Sequence, residues 1–240
     1  MTAIWIGYCL LVSALIGLAA LLVERALGHY RKPVRGVWTV AVVGSLMLPV
    51  AAYVAPALLA NLSTPIPAEL LRLDAFRAAP VDAIAGDTGG FDLLALLPSS
   101  STLLLGVWIG SILVLGGYLA FAWGRLRGEM RSWAPGRILD APVMVSHDRG
   151  PAVVGLRRSV IVLPRWIAEL EENVLRLIFL HEREHQVAGD QRRFAIGMLG
   201  VLAMPWNPVM WWQLRRLRLA IEFDCDRRVI ASGITRREYA

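Results

Sequence analysis

The sequence contains few cysteines, which many secreted proteins use for disulfides, and few charged residues, which ordinary soluble proteins carry on their surfaces. Only two of its 240 residues are cysteines, Cys9 and Cys225, so a disulfide framework is excluded and we expect both thiols to be reduced. Charged residues make up only 18% of the chain, whereas 56% of it is hydrophobic and its mean hydropathy is +0.54. This average is too apolar for an ordinary soluble domain.

Charge is absent from three long stretches, at residues 4–23, 37–60 and 102–123. Each stretch is long enough to cross a hydrocarbon core of about 30 Å as a helix. We therefore predict three transmembrane helices, with the lipid bilayer as a partner, rather than three buried helices of a large soluble core. No basic segment precedes the first stretch, which argues against a cleavable signal peptide.

Arginines follow the first and third apolar stretches, whereas acidic residues outnumber basic ones in segment 61–101. The positive-inside rule then places the N-terminus and the 61–101 loop outside, and segment 24–36 and the chain after Trp123 in the cytosol. We expect a bacterial inner (cytoplasmic) membrane protein, with one short helix at Ala68–Phe76 in the outer loop. The net charge of +6 fits contact with anionic lipid, and we expect no direct nucleic-acid binding.

The amino-acid composition of the chain changes after the third apolar stretch. Segments 141–148 and 151–164 are rich in valine and isoleucine and predict a small sheet, with a hairpin around residues 156–158. Apolar residues at helical spacing predict a helix over 166–187 that stops at Gly189. We divide the chain into a membrane domain, 1–123, and a cytosolic α+β domain, 124–240, so that the whole is a mainly α membrane protein.

The sequence HEREH at 181–185 is a candidate metal motif. Residues four apart lie on one face of a helix, so His181 and His185 can present two imidazole nitrogens to one zinc ion. Glu182 can then take a proton from a water that the metal activates, as in a metallopeptidase. Glu184 points to the other flank and is given no catalytic role. A charged, exposed helix without metal explains the motif about equally well when it is considered alone.

A catalytic zinc ion needs a third protein ligand. The best candidate is Glu222, which shares a helix face with Asp226, four residues further on. Asp226 would orient one of the ligand histidines, whereas Asp224 falls on the opposite side of the helix. The competing interpretation is that these acids only offset nearby arginines.

The apolar segment 194–212 lies between the histidines and Glu222. If it crossed the membrane once, Glu222 would lie on the opposite side from His181 and His185, and the site could not close. We therefore predict that this segment is membrane-associated but turns back, at Pro205–Pro208, and leads into a helix over 209–231. The competing interpretation is a fourth span with no zinc site.

Together these residues resemble the BlaR/MecR family of integral-membrane zinc metallopeptidases. The resemblance rests on the HEREH motif, on Asp190, on Asn207-Pro208 followed by Trp211, on Glu222-x-x-x-Asp226, and on the segment GLRRSVIVLP before the motif. It implies a gluzincin-type domain with zinc bound by His181, His185 and Glu222, and with Glu182 as the general base. It also implies regulated proteolysis of a peptide or protein substrate, such as a cytosolic winged-helix repressor or the protease itself.

Two other functions stay open at this point. A housekeeping membrane protease of the HtpX kind also pairs HExxH with ExxxD, although the order of spans and Asn207-Pro208 argue against it. A signal-transducing scaffold could keep the fold without turnover.

Overall fold

The computed structural model describes residues 3–30, 32–62 and 100–232. Within them the order of elements is helix, helix, helix, four strands and three further helices. The helices are α1 (Ala3–His29), α2 (Arg35–Leu62), α3 (Ser100–Met130), α4 (Glu172–Ala188), α5 (Asp190–Ala203) and α6 (Pro208–Ala231). The strands are β1 (Ala134–Ile138), β2 (Ala141–Ser146), β3 (Ala152–Val154) and β4 (Val160–Pro164), and a 3-10 turn at Arg165–Glu169 precedes α4.

Three of the described helices are long and apolar enough to cross a membrane: Ile4–His29, Arg35–Ala55 and Ser101–Met130. They overlap the three predicted stretches. Helix α1 continues past Glu24 and Arg25, and α3 continues into the basic segment after Trp123, whereas the second candidate span ends at Ala55 rather than at residue 60. Backbone hydrogen bonding does not stop where hydrocarbon ends, so a helix runs on into its polar flank. The helix expected at Ala68–Phe76 lies outside the described residues.

The four strands form one mixed sheet in the order β1-β2-β4-β3. The expected hairpin joins β3 to β4 in antiparallel register, with Val153 opposite Ile161, and β2 runs parallel to β4. Gly155 in the hairpin loop has φ +107°, and a side chain there would collide with the carbonyl of Arg158. Glycine is therefore required at this turn.

Strand β1 was not predicted, because strands were expected only in segments 141–148 and 151–164. Its segment Ala134–Ile138 contains proline and glycine, which disfavour strands. β1 forms because it pairs with β2 through a two-residue turn, in which Leu139 and Asp140 both have positive φ. Such turns are usually marked by glycine or asparagine, so the sequence carried no signal for this hairpin.

Helices α1, α2, α5 and α6 pack together. One apolar cluster joins α1 and α2 to α6 around Trp38 and Leu217, and a second joins all four helices around Val42, Val201 and Met210. A third cluster, with Val143, Leu163 and Phe179, packs α4 against the sheet. The same α4 that carries the two histidines is thereby held on one side by the sheet and on another by α6.

Helices α5 and α6 form a hairpin that turns back at residues 204–207, as predicted. Asn207 caps α6 by accepting the N–H of Val209 at 2.9 Å, and its amide donates to Ser13 of α1 at 3.1 Å. Gln213 donates to the Ser13 carbonyl and to the Ser45 hydroxyl of α2, both at 2.9 Å. These buried hydrogen bonds fix the hairpin against α1 and α2, and the return of α6 brings Glu222 back beside α4.

Candidate metal centre

Helix α4 presents the two histidines of the motif side by side. The apolar residues Leu175, Ile178 and Phe179 turn one face of the helix onto the sheet, and Gly189 ends it in the left-handed conformation, with φ 64°. On the face directed at α6, His181 Nε2 lies 3.1 Å from His185 Nε2. The end of the predicted helix and the placement of the two imidazoles on one face are present. The predicted start is wrong, because residues 165–169 form a 3-10 turn, Leu170 is extended and α4 begins only at Glu172.

Helix α6 supplies Glu222 to this pair. Its Oε2 lies 3.7 Å from His181 Nε2 and 3.5 Å from His185 Nε2. Ligands at zinc distances around a tetrahedral ion are separated by about 3.3 Å. The three separations found between these atoms are 3.1, 3.5 and 3.7 Å, so the donor set fits one tetrahedral zinc ion with a fourth position left for water or substrate.

Glu182 faces the same cavity as the histidines. Its side chain is almost completely buried, and burial raises the pKa of its carboxyl although both nearby histidines act to lower it. A carboxylate in this state accepts a proton more readily than an exposed glutamate. Its position and environment match the role of general base.

Asp190 contacts His185 at Nδ1, the ring nitrogen that does not face His181. This carboxylate is only 3% exposed, and its Oδ2 lies 3.1 Å from His185 Nδ1. Three guanidinium groups surround it, since Arg35 lies at 3.1 Å, Arg228 at 3.2 Å and Arg193 at 3.4 Å. Such a carboxylate fixes the tautomer and orientation of a ligand histidine. The family resemblance included Asp190, but the residues themselves had suggested no role for it.

Asp226 is close to His181, the other histidine of the pair, as predicted. Its Oδ1 is 3.5 Å from His181 Nδ1, although the side chain is 40% exposed. It is therefore less constrained than Asp190. The structure thus pairs each histidine with its own carboxylate, whereas the sequence had suggested one.

Cys225 is the cluster member that the sequence did not reveal. It is fully buried, its Sγ lies 3.8 Å from His181 Nδ1, and the thiol donates to the His181 carbonyl at 3.4 Å. Ligand atoms of His181, His185 and Cys225 all lie within 4.8 Å of one another. Its only signal was position, because Cys225 directly precedes Asp226 and lies three residues after Glu222.

These contacts shift the pKa values of the whole cluster. Hydrogen bonds with Cys225 and Glu222 raise the pKa of His181. Burial lowers the pKa of His185, but contacts with Asp190 and the other anionic groups outweigh burial and raise it. In return, the two histidines hold the pKa of the Glu222 carboxyl well below its usual range. The cluster attracts positive charge, as a cation site requires.

Other candidate residues lie away from the histidine pair. Asp224 is buried and accepts the backbone N–H groups of Val34 and Arg35 at 2.8 and 2.9 Å, which caps α2. Glu184 binds Arg228 at 2.9 Å. His147 pairs with Asp148 on the surface. Asp224 therefore faces away from the site, as expected.

A cavity of about 580 Å³ opens above the histidine pair. Its walls come from α4, α5, α6 and the start of β3, at Pro151–Val153. β3 is an end strand of the sheet, so one of its edges has no neighbouring strand among the described residues. The cavity thus brings residues of an end strand, two imidazoles and three carboxylates together.

Comparison with known proteins gives one result. No curated protein matches the chain. The model of the BlaR1 peptidase M56 family matches residues 11–240, which include most of α1, the other helices, the sheet and every residue of the candidate metal centre. This membership indicates a membrane-associated metallopeptidase and favours the BlaR/MecR resemblance over the HtpX kind of protease. The chain belongs to the BlaR1 peptidase M56 family.

Proposed function

We propose that this protein is a membrane-embedded zinc endopeptidase whose active site is the candidate metal centre. The observation that carries the proposal is the mutual spacing of His181 Nε2, His185 Nε2 and Glu222 Oε2, at 3.1 to 3.7 Å. These three atoms would hold the metal. Zinc, when bound, supplies a Lewis acid that polarises a peptide carbonyl and lowers the pKa of water.

The protein's own residues divide the remaining work. Glu182 accepts the proton of the attacking water and passes it to the departing amine, a role supported by its burial beside the histidines. Asp190 and Asp226 keep the Nδ1 atoms of the two histidines engaged, so that both Nε2 atoms stay directed at the same point. The fixed sheet behind α4 keeps this geometry rigid.

The substrate is an extended peptide. The open edge of β3 lies along the cavity wall, and a peptide that adds to it as a further strand passes directly over α4. Backbone hydrogen bonds of this kind accept many sequences, which suits an endopeptidase.

We place this activity at the cytosolic face of a bacterial inner membrane, in regulated proteolysis of a winged-helix repressor or of the protease itself. The arginines beside the apolar helices support this orientation. Arg35, which begins α2, contacts Asp190 directly, so the inner loop and the site lie at the same end of the helices.

The test is to purify the full chain in detergent and to measure bound zinc and cleavage of unstructured protein substrates. A Glu182→Gln variant serves as the matched control. About one zinc ion in both proteins, with cleavage only in the unchanged chain, is the expected result. Failure of the unchanged chain to bind zinc would overturn the proposal. Zinc without cleavage of any substrate would favour a signalling scaffold instead.

A further inference from the structure

Part of the cavity wall beside the histidine pair comes from α5 and α6, and we refer to this part of the cavity as the side pocket. We define the side pocket by four residues, Gln191 and Phe194 of α5 and Arg218 and Ile221 of α6. None of the four is used by the chemistry described above. Arg218 lies one helical turn before Glu222, so its Cα is displaced by about 6 Å along α6 from the ligand's Cα. The side pocket therefore adjoins the position of the scissile bond.

Arg218 is an exposed cation that has no partner among the described residues. Two other arginines of α6 are engaged, since Arg216 binds Glu24 at 2.6 Å and Arg228 binds Glu184 and Asp190. In the described part of the chain, by contrast, no carboxylate or carbonyl forms an ion pair or hydrogen bond with Arg218. A guanidinium in a cavity wall that is left without an acceptor is available for a carboxylate of a ligand.

The side-chain oxygen of Gln191 is a second, independent indication that a ligand group belongs in this part of the cavity. Its Oε1 is buried, and within the described ranges it accepts no hydrogen bond. Buried polar atoms normally have partners, so an orphan atom in a cavity wall needs an explanation. Rotation about the last side-chain bond of glutamine exchanges the positions of its amide oxygen and nitrogen, so an oxygen without a partner beside the cavity can accept a peptide N–H of a ligand.

Phe194 and Ile221 make the walls between these polar groups apolar. A ligand that satisfies all four residues has a carboxylate at its tip, methylene groups along its stem and an N–H at its base. Glutamate has this combination, whereas aspartate has a shorter stem. An apolar side chain would fill the walls but leave the guanidinium unpaired.

We propose that the side pocket is a substrate subsite for an acidic residue, glutamate in preference to aspartate, next to the scissile bond. Arg218 binds the carboxylate, Gln191 accepts a peptide N–H, and Phe194 and Ile221 pack against the side-chain stem. This inference rests on the proposed peptidase function, because it assumes that a peptide occupies the cavity. It makes Arg218 a specificity-determining residue.

Binding to the full chain in detergent tests the subsite without turnover. The zinc-loaded Glu182→Gln protein is titrated into fluorescein-labelled peptides of a generic sequence, in which one position at a time, up to three on either side of a central bond, is Glu or Gln. Fluorescence polarisation then gives the dissociation constants. We expect Glu to bind about tenfold more tightly than Gln at one position only, the size of one charge-assisted contact.

Variants then assign the preference to a residue. Arg218→Gln in the Glu182→Gln background should abolish the preference, Arg218→Lys should keep part of it, and Arg218→Glu should favour Lys over Glu at the same position. Arg215→Gln is the matched control, because Arg215 is an exposed arginine of α6 that does not line the cavity. Zinc content and gel-filtration profile of each variant establish that the fold is kept.

Equal binding of Glu and Gln peptides at every position, or a preference that survives Arg218→Gln, would overturn the subsite. Failure of the proposed function looks different. In that case the unchanged, zinc-loaded chain cleaves none of the peptides, whereas the binding preference and its dependence on Arg218 are read independently.

Discussion

The guanidinium of Arg35, at the start of α2, lies 3.1 Å from the buried carboxylate of Asp190, at the start of α5. The other oxygen of that carboxylate lies 3.1 Å from Nδ1 of His185. The first residue of a candidate membrane span is therefore two contacts away from a candidate metal ligand. Because Asp224 of α6 also caps α2, the beginning of α2 is joined to the site from two directions.

Replacing Arg35 should weaken metal binding. Arg35→Gln removes one of three cations around Asp190, so the carboxylate is less firmly held against His185, and we expect zinc affinity to fall by roughly tenfold. Competition with a chromogenic chelator measures this. Arg127→Gln, at an exposed position of α3, is the control, and equal affinities for the two variants would contradict the coupling.

Asp190 should matter more than Asp226. Asp190→Asn removes the charge of a nearly buried group that contacts His185 at 3.1 Å, and we expect zinc affinity to fall about 10- to 100-fold. The same change at Asp226, which is 40% exposed and 3.5 Å from His181, should cost only a few-fold. Chelator competition and thermal unfolding of both variants check the order, which a larger loss in Asp226→Asn would reverse.

Glu182 and Glu222 should separate catalysis from metal binding. Glu182→Gln keeps the ligands and loses only the base, so zinc content should stay within about twofold while cleavage falls at least about 100-fold. Glu222→Gln should lower zinc affinity itself, because a carboxylate ligand is lost. Metal analysis and single-turnover cleavage distinguish the two, and loss of zinc in Glu182→Gln would remove Glu182 from the role of base.

Cys225 should be a neighbour of the metal rather than a ligand. Both Nε2 atoms lie within 3.7 Å of the Glu222 carboxylate, whereas the Cys225 sulfur contacts His181 at its carbonyl, 3.4 Å away, and at Nδ1, 3.8 Å away. Cobalt-loaded protein is therefore expected to show ligand-field bands without an intense sulfur-to-cobalt band in the ultraviolet. Cys225→Ser should keep about one metal ion per chain. A charge-transfer band that disappears in Cys225→Ser would instead make the thiol a ligand.

Metal binding should release protons. The pKa values of His181 and His185 are raised by their anionic neighbours, and their Nε2 atoms lie 3.1 Å apart. Both Nε2 atoms must lose protons to bind zinc, so at least about one proton leaves per ion and affinity rises with pH. Calorimetric titration in buffers of different ionisation enthalpy counts these protons, and a heat that does not depend on the buffer would show that none is released.

Much of the site was predictable because it follows from local rules. His181 and His185 had to stack because helical geometry brings residues four apart onto one face. The turn at 205–208 was marked by two prolines, and the requirement that Glu222 reach the histidines favoured a turn over a single crossing by segment 194–212. Strand β1 was missed because its residues disfavour a strand, and only pairing with β2 makes one.

The sequence by itself determined the three apolar helices, the paired imidazoles and the choice of Glu222, since hydropathy and periodicity depend on neighbours along the chain. Only the tertiary structure decided that Asp190 rather than Asp226 is the buried carboxylate, that Cys225 joins the cluster, and that Arg35 reaches the site. Each of these depends on how α2, α4, α5 and α6 pack. Residues 155 positions apart, such as Arg35 and Asp190, meet only because folding places two helix ends together.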